Sequence, residues 1–397
     1  MLISLSLILL VGLSMSAVCS KLRLPRIIGM LITGIVLGPY VLDLLDPSIL
    51  GISSELRQIA LIIILIKAGL SLNISDLKKV GSPAVLMSFL PATFEIIGYV
   101  MFAPILLGIT RTEAAVMGAV LGAVSPAVVV PRMIKLMDEG YGTEKSIPQL
   151  IMAGASCDDV FVIVLFSTFS GMAKGGKADF KGLLNIPVSI FLGVAIGLIA
   201  GFTAAFIFEF AYNHGKYIRN SIKTIVIMGM SFLLVSVESL AQNYVAISGL
   251  LAVVSMACVL KIKNPETVAK RLSEKFGKLW LAAEVILFVL VGAAVDIRYT
   301  ARAGVAAVGL IFISLAFRAV GVIICLIKTP LSLKERIFCV IAYLPKATVQ
   351  AAIGSVPLSM GLPCGEIVLS VAVLGILITA PIGAFGIDVS YKKLLNR

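Results

Sequence analysis

The sequence predicts an all-α polytopic membrane protein with about 13 transmembrane helices, and three observations support this fold class. The mean hydropathy of the 397 residues is +1.09, and only 14% of them are charged. Apolar runs long enough to cross a bilayer follow one another along the chain, and the polar connections between them are short. Two runs are interrupted by prolines, which predicts helices that break inside the membrane. We therefore expect a single membrane domain and no soluble domain.

The predicted spans are set by the positions of the apolar runs. In order they are 2–18, 24–41, 54–73, 82–107, 112–131, 148–172, 183–212, 221–238, 244–260, 279–296, 303–327, 336–357 and 364–388. The first run lacks a basic segment ahead of it, so we interpret it as a retained helix and not as a cleaved signal peptide. Because the number of spans is odd, the two termini are expected on opposite sides of the membrane.

Lysine and arginine decide the orientation, because connections rich in them stay in the cytoplasm. Most of these residues follow odd-numbered spans, and the densest connection is 261–278. The N-terminus is therefore predicted outside and the C-terminus in the cytoplasm. The net charge of +12 is explained by this topology and does not indicate nucleic acid. The 6 cysteines show no metal-ligand spacing and there is 1 histidine, so no cofactor is predicted.

The sixth span carries two adjacent acids, Asp158 and Asp159, near its middle. A carboxylate at the centre of a membrane helix costs about 2.5–3.5 kcal/mol, and two neighbours cannot both stay charged without a cation or a proton. The pair is therefore interpreted as the exchangeable site of an ion carrier. A pair that is permanently protonated or permanently salt-bridged is the alternative.

Internal symmetry is predicted from the two broken spans. Span 5 contains Pro126 and Pro131, and span 12 contains Pro345, Gly354 and Pro357. Irregular backbone is tolerated in a membrane only where it lines a cavity or is buried in protein. The two spans are an odd number of spans apart and so run antiparallel, which is typical of an inverted repeat with its substrate site at the crossing. Two kinked helices with packing roles only would give the same pattern.

Three further charges lie inside predicted spans. Glu95 and Arg318 are mid-span residues of spans 4 and 11, which the same symmetry relates, so we expect a buried ion pair. The pair either compensates charge at the ion site or has a structural role in joining the two helices. Lys346 follows Pro345, where its ammonium can neutralise a half-helix end or one of the aspartates. With Asp158 and Asp159, the interior holds three acids and two bases, so one carboxylate must carry a proton or a metal cation.

Several segments together resemble a known family. LGAVSPAVVVPRM, GYGTEK, the helix with Asp158 and Asp159, and LPKATVQAAIGSVPL followed by ILITAPIG are similar to the monovalent cation:proton antiporter superfamily, specifically its NHA-type sodium/hydrogen exchanger branch. RLPRIIGMLITGIVLGP and ALIIILIKAGLSL fit the same family. The resemblance covers nearly the whole chain.

The resemblance implies a fold of two parts and an ion site. Spans 4–6 and 11–13, about 82–172 and 303–388, would form an ion-carrying core. Spans 1–3 and 8–10, about 1–73 and 221–296, would form a dimerisation panel of a homodimer, with span 7, about 183–212, between them. It assigns the main ion-binding role to Asp159, with Asp158 assisting and Ser125 and neighbouring carbonyls as further ligands. Relatives with a lysine on span 11 differ from this chain, whose Arg318 does not deprotonate.

The sequence thus predicts a secondary-active antiporter of the cell membrane that exchanges H⁺ for Na⁺, Li⁺ or K⁺ by alternating access, and not an enzyme. The two-aspartate motif resembles the electrogenic members, with electroneutral exchange as the competing outcome. A K⁺-selective antiporter and a cation channel of the same fold are alternatives. An intramembrane aspartyl protease takes its aspartates from different helices, and the paired acids disfavour a symporter of organic anions.

Overall fold

The computed structural model describes residues 1–22, 24–71, 81–174, 180–216, 218–241 and 247–397. These residues form helices and their connections, without a β-strand. The end of predicted span 3, the start of predicted span 9, and the connection residues Arg23, Lys78, Lys79 and Lys177 lie outside the described residues. The all-helical fold class is confirmed.

The helices are α1 (Leu2–Lys21), α2 (Arg26–Leu37), α3 (Pro47–Gly51), α4 (Ser53–Ser71), α5 (Ser82–Met87), α6 (Leu90–Leu107), α7 (Arg111–Leu121), α8 (Pro126–Glu139), α9 (Ile147–Lys174), α10 (Phe180–Asn213), α11 (Asn220–Ala241), α12 (Gly249–Lys263), α13 (Glu266–Ala293), α14 (Ile297–Leu326), α15 (Leu333–Ala342), α16 (Thr348–Gly354), α17 (Val356–Ser359) and α18 (Gly365–Leu394).

The predicted number of spans is not confirmed. Within the described residues, nine helical stretches are long and apolar enough to cross a membrane. Predicted spans 2 and 9 correspond to helices α2 and α12, which have only 12 and 15 residues. Predicted span 3 corresponds to α4, which carries the charges of Glu55, Arg57 and Lys67. Predicted span 12 is divided into α15, α16 and α17.

Helix α13 begins much earlier than the predicted start of span 10 at residue 279. Pro265 precedes its first turn, and Ala269, Leu272 and Phe276 are buried at the spacing of one helical face. This amphipathic segment continues the membrane helix into 261–278, which was predicted as a connection between two spans. Hydropathy alone missed it because the opposite face carries lysine and arginine.

The helices pack in two groups. In the first, α13 lies against α2 and α4, α1 lies against α2, and α12 lies against α4, α10 and α11. In the second, α6 lies against α14 and α7, α9 against α7, α8 and α5, and α18 against α14 and α15. Helix α10 also contacts α9 of the second group. The division into a dimerisation panel and an ion-carrying core stays a prediction, because packing shows neither dimerisation nor movement.

The two broken helices begin with the same local structure. At the start of α7, the Thr110 hydroxyl accepts from the Glu113 N–H, and the Glu113 carboxylate accepts from the Thr110 N–H. Ser332 and Glu335 form the same capping box at the start of α15. A capping box fixes the first turn of a helix by satisfying two of its free N–H groups. Each half-helix thus starts at a defined residue ahead of its break.

Candidate functional site

The two breaks meet in the centre of the second group of helices. The break between α7 and α8 covers 122–125, and the break between α15 and α16 covers 343–347. A proline disfavours helical backbone in the residue before it, and Ser125, before Pro126, is extended with φ −91° and ψ 108°. The Ser125 N–H donates to the Pro345 carbonyl at 2.7 Å. The two breaks are therefore in direct contact.

Helix α18 supports the second break. A Cβ atom at Gly383 would overlap the ring of Pro345, so only glycine allows the helix this close to the break. One turn earlier, the Thr379 hydroxyl accepts from the Lys346 N–H at 3.0 Å. The backbone of the second break is thus held by a close approach and by a hydrogen bond.

Backbone groups of the first break are satisfied by side chains from other helices. An unpaired backbone group costs several kcal/mol in a membrane, so a break persists only where such partners exist. The partners are Lys346 for the Leu121 carbonyl, Arg318 for the Gly122 carbonyl, Gln350 at 2.8 Å for the Ala123 carbonyl, and Asp158 at 2.8 Å for the Val124 N–H. The amino-acid types at these positions therefore explain how the break is kept.

Arg318 joins both breaks to two carboxylates. Its guanidinium donates to Glu95 at 2.8 Å and to Asp158 at 2.9 Å, and it is almost fully buried. It also donates to the carbonyl of Tyr343, at 2.7 Å, and to that of Gly122. Those carbonyls lie just past the C-terminal ends of the half-helices α15 and α7, where the helix dipole is negative. One permanent cation therefore compensates two acids and two helix ends.

Lys346 completes a balanced set of charges. Its ammonium lies 2.7 Å and 2.8 Å from the two carboxylate oxygens of Glu95 and also donates to the Leu121 carbonyl. Glu95 and Asp158 are thus matched by Arg318 and Lys346, and all four side chains are buried. Fully paired buried charges are tolerated because each is both neutralised and hydrogen-bonded.

Asp159 is the acid of this centre that stands outside the balanced set. Within the part of the chain that the structure describes, no lysine, arginine or histidine nitrogen lies within 4.0 Å of its carboxylate. Its Oδ1 is buried without a hydrogen-bond partner, as are Oδ1 of Asp158 and Oγ of Ser125. Unsatisfied oxygens of this kind are what a hard cation such as Na⁺ uses as ligands.

Exposure near the site differs between its two sides. In α7, residues 114–121 are all buried, and so is the whole of α16. Asp159 is partly exposed, and Ala127 on α8 is exposed. Helix α8 leads to the end of the molecule that holds the chain's C-terminus, since the Gly142 N–H donates to the Asn396 carbonyl at 2.7 Å. Helix α8, on the side of that end, is thus less completely covered than α7 and α16.

The structure brings together all six residues predicted for the site, with one different pairing. Glu95 and Arg318 are paired as expected. Lys346 caps a half-helix end, but its acidic partner is Glu95 and neither aspartate. Gln350 and Thr379 were not predicted for the site, although they lie in the segments LPKATVQAAIGSVPL and ILITAPIG. A buried amide one turn after Lys346 was the available signal for Gln350.

A helical membrane fold with two broken helices crossing at an unpaired carboxylate is the arrangement of a secondary transporter. Residues 5–390 match the family model described as sodium/hydrogen exchanger, transmembrane. The chain belongs to this sodium/hydrogen exchanger family, whose members are transporters.

Relatives and a solved structure agree with this assignment. Sodium/hydrogen exchanger 9B2 from Homo sapiens is 36% identical over 389 residues, covering 94% of this chain and 70% of the relative. Sodium/hydrogen exchanger 9B1 from Homo sapiens is 31% identical over 388 residues, covering 94% and 73%. The fold is similar to that of the sodium proton antiporter MjNhaP1 from Methanocaldococcus jannaschii, with a TM-score of 0.85 at 21% identity and coverage of 99% and 98%. The resemblance to the monovalent cation:proton antiporter superfamily is confirmed.

Proposed function

We propose that the protein is a secondary-active antiporter that exchanges H⁺ for Na⁺ at Asp159, with Li⁺ and K⁺ as further candidate cations. The observation that carries this proposal is the charge balance of the centre. Two acids are matched by two bases, whereas Asp159 has no fixed cation within salt-bridge distance among the described residues. A carboxylate in such a place must be neutralised by something that can leave again. The names of the relatives, sodium/hydrogen exchangers, agree with this reading.

The cation is expected to bind among the oxygens that have no partner in the protein. Asp159 supplies the charge, while the free Oδ1 of Asp158 and the Ser125 hydroxyl supply neighbouring oxygens. Asp158 assists only through Oδ1, because its Oδ2 already accepts from Val124 and Arg318. A proton on Asp159 removes the charge that holds the metal ion. The two ions therefore compete for one carboxylate, which is the basis of exchange.

Alternating access is proposed to arise from movement of the core against the panel. The core would consist of α5–α9 and α14–α18, the panel of α1–α4 and α11–α13, with α10 between them. The burial of α7 and α16 beside the partly exposed Asp159 supports a state that opens toward the C-terminal end. With the orientation predicted from lysine and arginine, that end is cytoplasmic. We further propose a homodimer formed through the panel, in the cell membrane.

The proposed exchange is tested with purified protein in liposomes that hold an imposed pH gradient. We expect Na⁺ added outside to collapse the gradient, and Li⁺ and K⁺ to do so to the extent that each ion fits the site. A gradient that survives all three cations would contradict the proposal. A channel is distinguished by currents that persist without a proton gradient, because exchange through one carboxylate requires the counter-ion.

Exchange is expected to be electroneutral, with one proton for one Na⁺. Arg318 is always charged, and we propose that Lys346 also stays charged through the cycle, because both oxygens of Glu95 contact its ammonium. This differs from the net charge movement that the two-aspartate motif suggests. The measurement is Na⁺-driven proton movement in liposomes whose potential is set by valinomycin and K⁺. A moved charge is worth about 2.3 kcal/mol per 100 mV, so a voltage-dependent rate would refute electroneutral exchange while leaving Asp159 as the ion site.

A further inference from the structure

Gln350 is a buried side chain that links the two halves of the site. It lies on α16, one turn after Lys346, and is fully buried. Its Nε2 donates to the Ala123 carbonyl at 2.8 Å and reaches the Leu121 carbonyl at 3.5 Å. The side chain of one broken helix thus holds the backbone of the other, two residues before Ser125.

Three side chains donate hydrogen bonds to the carbonyls of the first break, and Gln350 is the uncharged one of the three. Three consecutive carbonyls, those of residues 121–123, accept from Lys346, Arg318 and Gln350 respectively. The two charged donors belong to the ion pairs with Glu95 and Asp158, so replacing either changes the charge of the centre. Replacing Gln350 with a neutral residue alters the geometry of the break and leaves that charge unchanged.

The other atom of the Gln350 amide has no partner. Its Oε1 is buried without a hydrogen bond. The reverse orientation of the amide would bring Oε1 against the Ala123 carbonyl, so the hydrogen bond from Nε2 fixes which way the group points. A buried acceptor without a partner in the protein is suited to a donor that comes with the substrate, such as a water molecule held by the cation.

We propose that Gln350 is a specificity-determining residue that sets which monovalent cation the site prefers. This inference rests on the proposed function. The Nε2–H fixes the Ala123 carbonyl and thereby the position of the following Ser125 hydroxyl relative to Asp159. Selectivity among cations of one charge depends on the size of the cavity, the number of its ligands and its flexibility. Gln350 acts on two of these, because its hydrogen bond stiffens the break and its free Oε1 adds an oxygen acceptor.

The test is the variant Gln350→Met, which keeps the side-chain length and removes both donor and acceptor. Initial exchange rates are measured in liposomes against Na⁺, Li⁺ and K⁺ at one pH. One lost positioning hydrogen bond is expected to raise KM for Na⁺ about tenfold, with kcat changed by less than about twofold. The ratio of the KM values for Na⁺ and Li⁺ is expected to change by about threefold or more, because ions of different radius lose different contacts.

The matched control is Gln149→Met, on a half-buried amide near the start of α9, which should leave the values unchanged.

Different results would contradict the proposed exchange function and the proposed role of Gln350. A wild-type protein that exchanges no cation refutes the proposed function, whereas wild-type exchange with the same three KM values in Gln350→Met refutes only the role of Gln350. Equal changes in all three KM values, with a lowered melting temperature, mean that the residue is structural and also refute the inference. If Gln350→Met does not fold, the neutral variant Gln350→Asn, which keeps the amide but is one methylene too short to hold the Ala123 carbonyl in the same way, is examined by cation-dependent thermal shifts in detergent. An altered order of stabilisation by Li⁺, Na⁺ and K⁺ supports the inference, and the wild-type order or loss of folding overturns it.

Discussion

Replacing Asp159 by asparagine is expected to abolish exchange while leaving the protein folded. The substitution keeps the volume and removes the charge, and no basic side chain among the described residues lies within salt-bridge distance to be left unpaired. A charged ligand in a buried site contributes about 3 kcal/mol, which is a factor of about 100 in cation affinity. The loss of the proton-binding group then removes the coupled proton as well. Initial rates of Na⁺-driven proton movement in liposomes, at equal amounts of inserted protein, measure the effect.

The control for Asp159→Asn is Asp388→Asn. Asp388 is also an acid of the second group of helices, but it forms a partly exposed pair with Arg132 at 3.3 Å, so its loss should leave the rate near the wild-type value. Asp158→Asn is expected to fall between the two, since only one of its oxygens is free to meet an ion. Near wild-type exchange by Asp159→Asn would show that H⁺ and Na⁺ do not compete for the Asp159 carboxylate.

Replacing Arg318 by methionine is expected to cause the largest loss of stability among the changes considered. The guanidinium is shared by Glu95, Asp158 and carbonyls of both breaks, so its removal leaves buried charges and backbone groups without partners. Breaking a buried ion pair typically costs about 3–5 kcal/mol. Glu95→Gln should cost less than Arg318→Met, although it also leaves Lys346 without its acid. Thermal unfolding in detergent measures both variants.

The pair itself is isolated by a double-mutant cycle. Because Glu95 and Arg318 are 2.8 Å apart, the double variant is expected to be more stable than the sum of the single effects predicts, by about 1–3 kcal/mol. Arg132→Met serves as the control, because its pair with Asp388 is partly exposed and such pairs contribute about 0–1 kcal/mol. Strictly additive effects of Glu95→Gln and Arg318→Met would show that the contact does not contribute to stability.

Position along the chain was sufficient to predict the Glu95–Arg318 contact. Both residues are charged in the middle of apolar spans, and the same repeat symmetry relates those spans, so few other partners were available. Of the two partners predicted for Lys346, the structure shows the half-helix end, while its acidic partner is Glu95 and not an aspartate, because a lysine beside a break has several acids within reach of its long side chain. The predicted number of spans is not confirmed, and the described helices that fall short of the length criterion of about 20 apolar residues include α2 and α12.

The sequence by itself determined that the chain lies in a membrane, that it is helical, that two helices are broken, and that the buried acids outnumber the buried bases by one. These follow from composition and from the positions of prolines and charges, which do not depend on how the helices are arranged. The family resemblance had assigned the main ion-binding role to Asp159, but only the tertiary structure showed why the two acids differ: Asp158 is paired with Arg318, and Asp159 has no basic partner among the described residues. The same holds for Gln350, whose hydrogen bond to Ala123 joins residues far apart in the chain. Long-range pairing depends on the packing of several helices at once, and no local pattern in one of them specifies it.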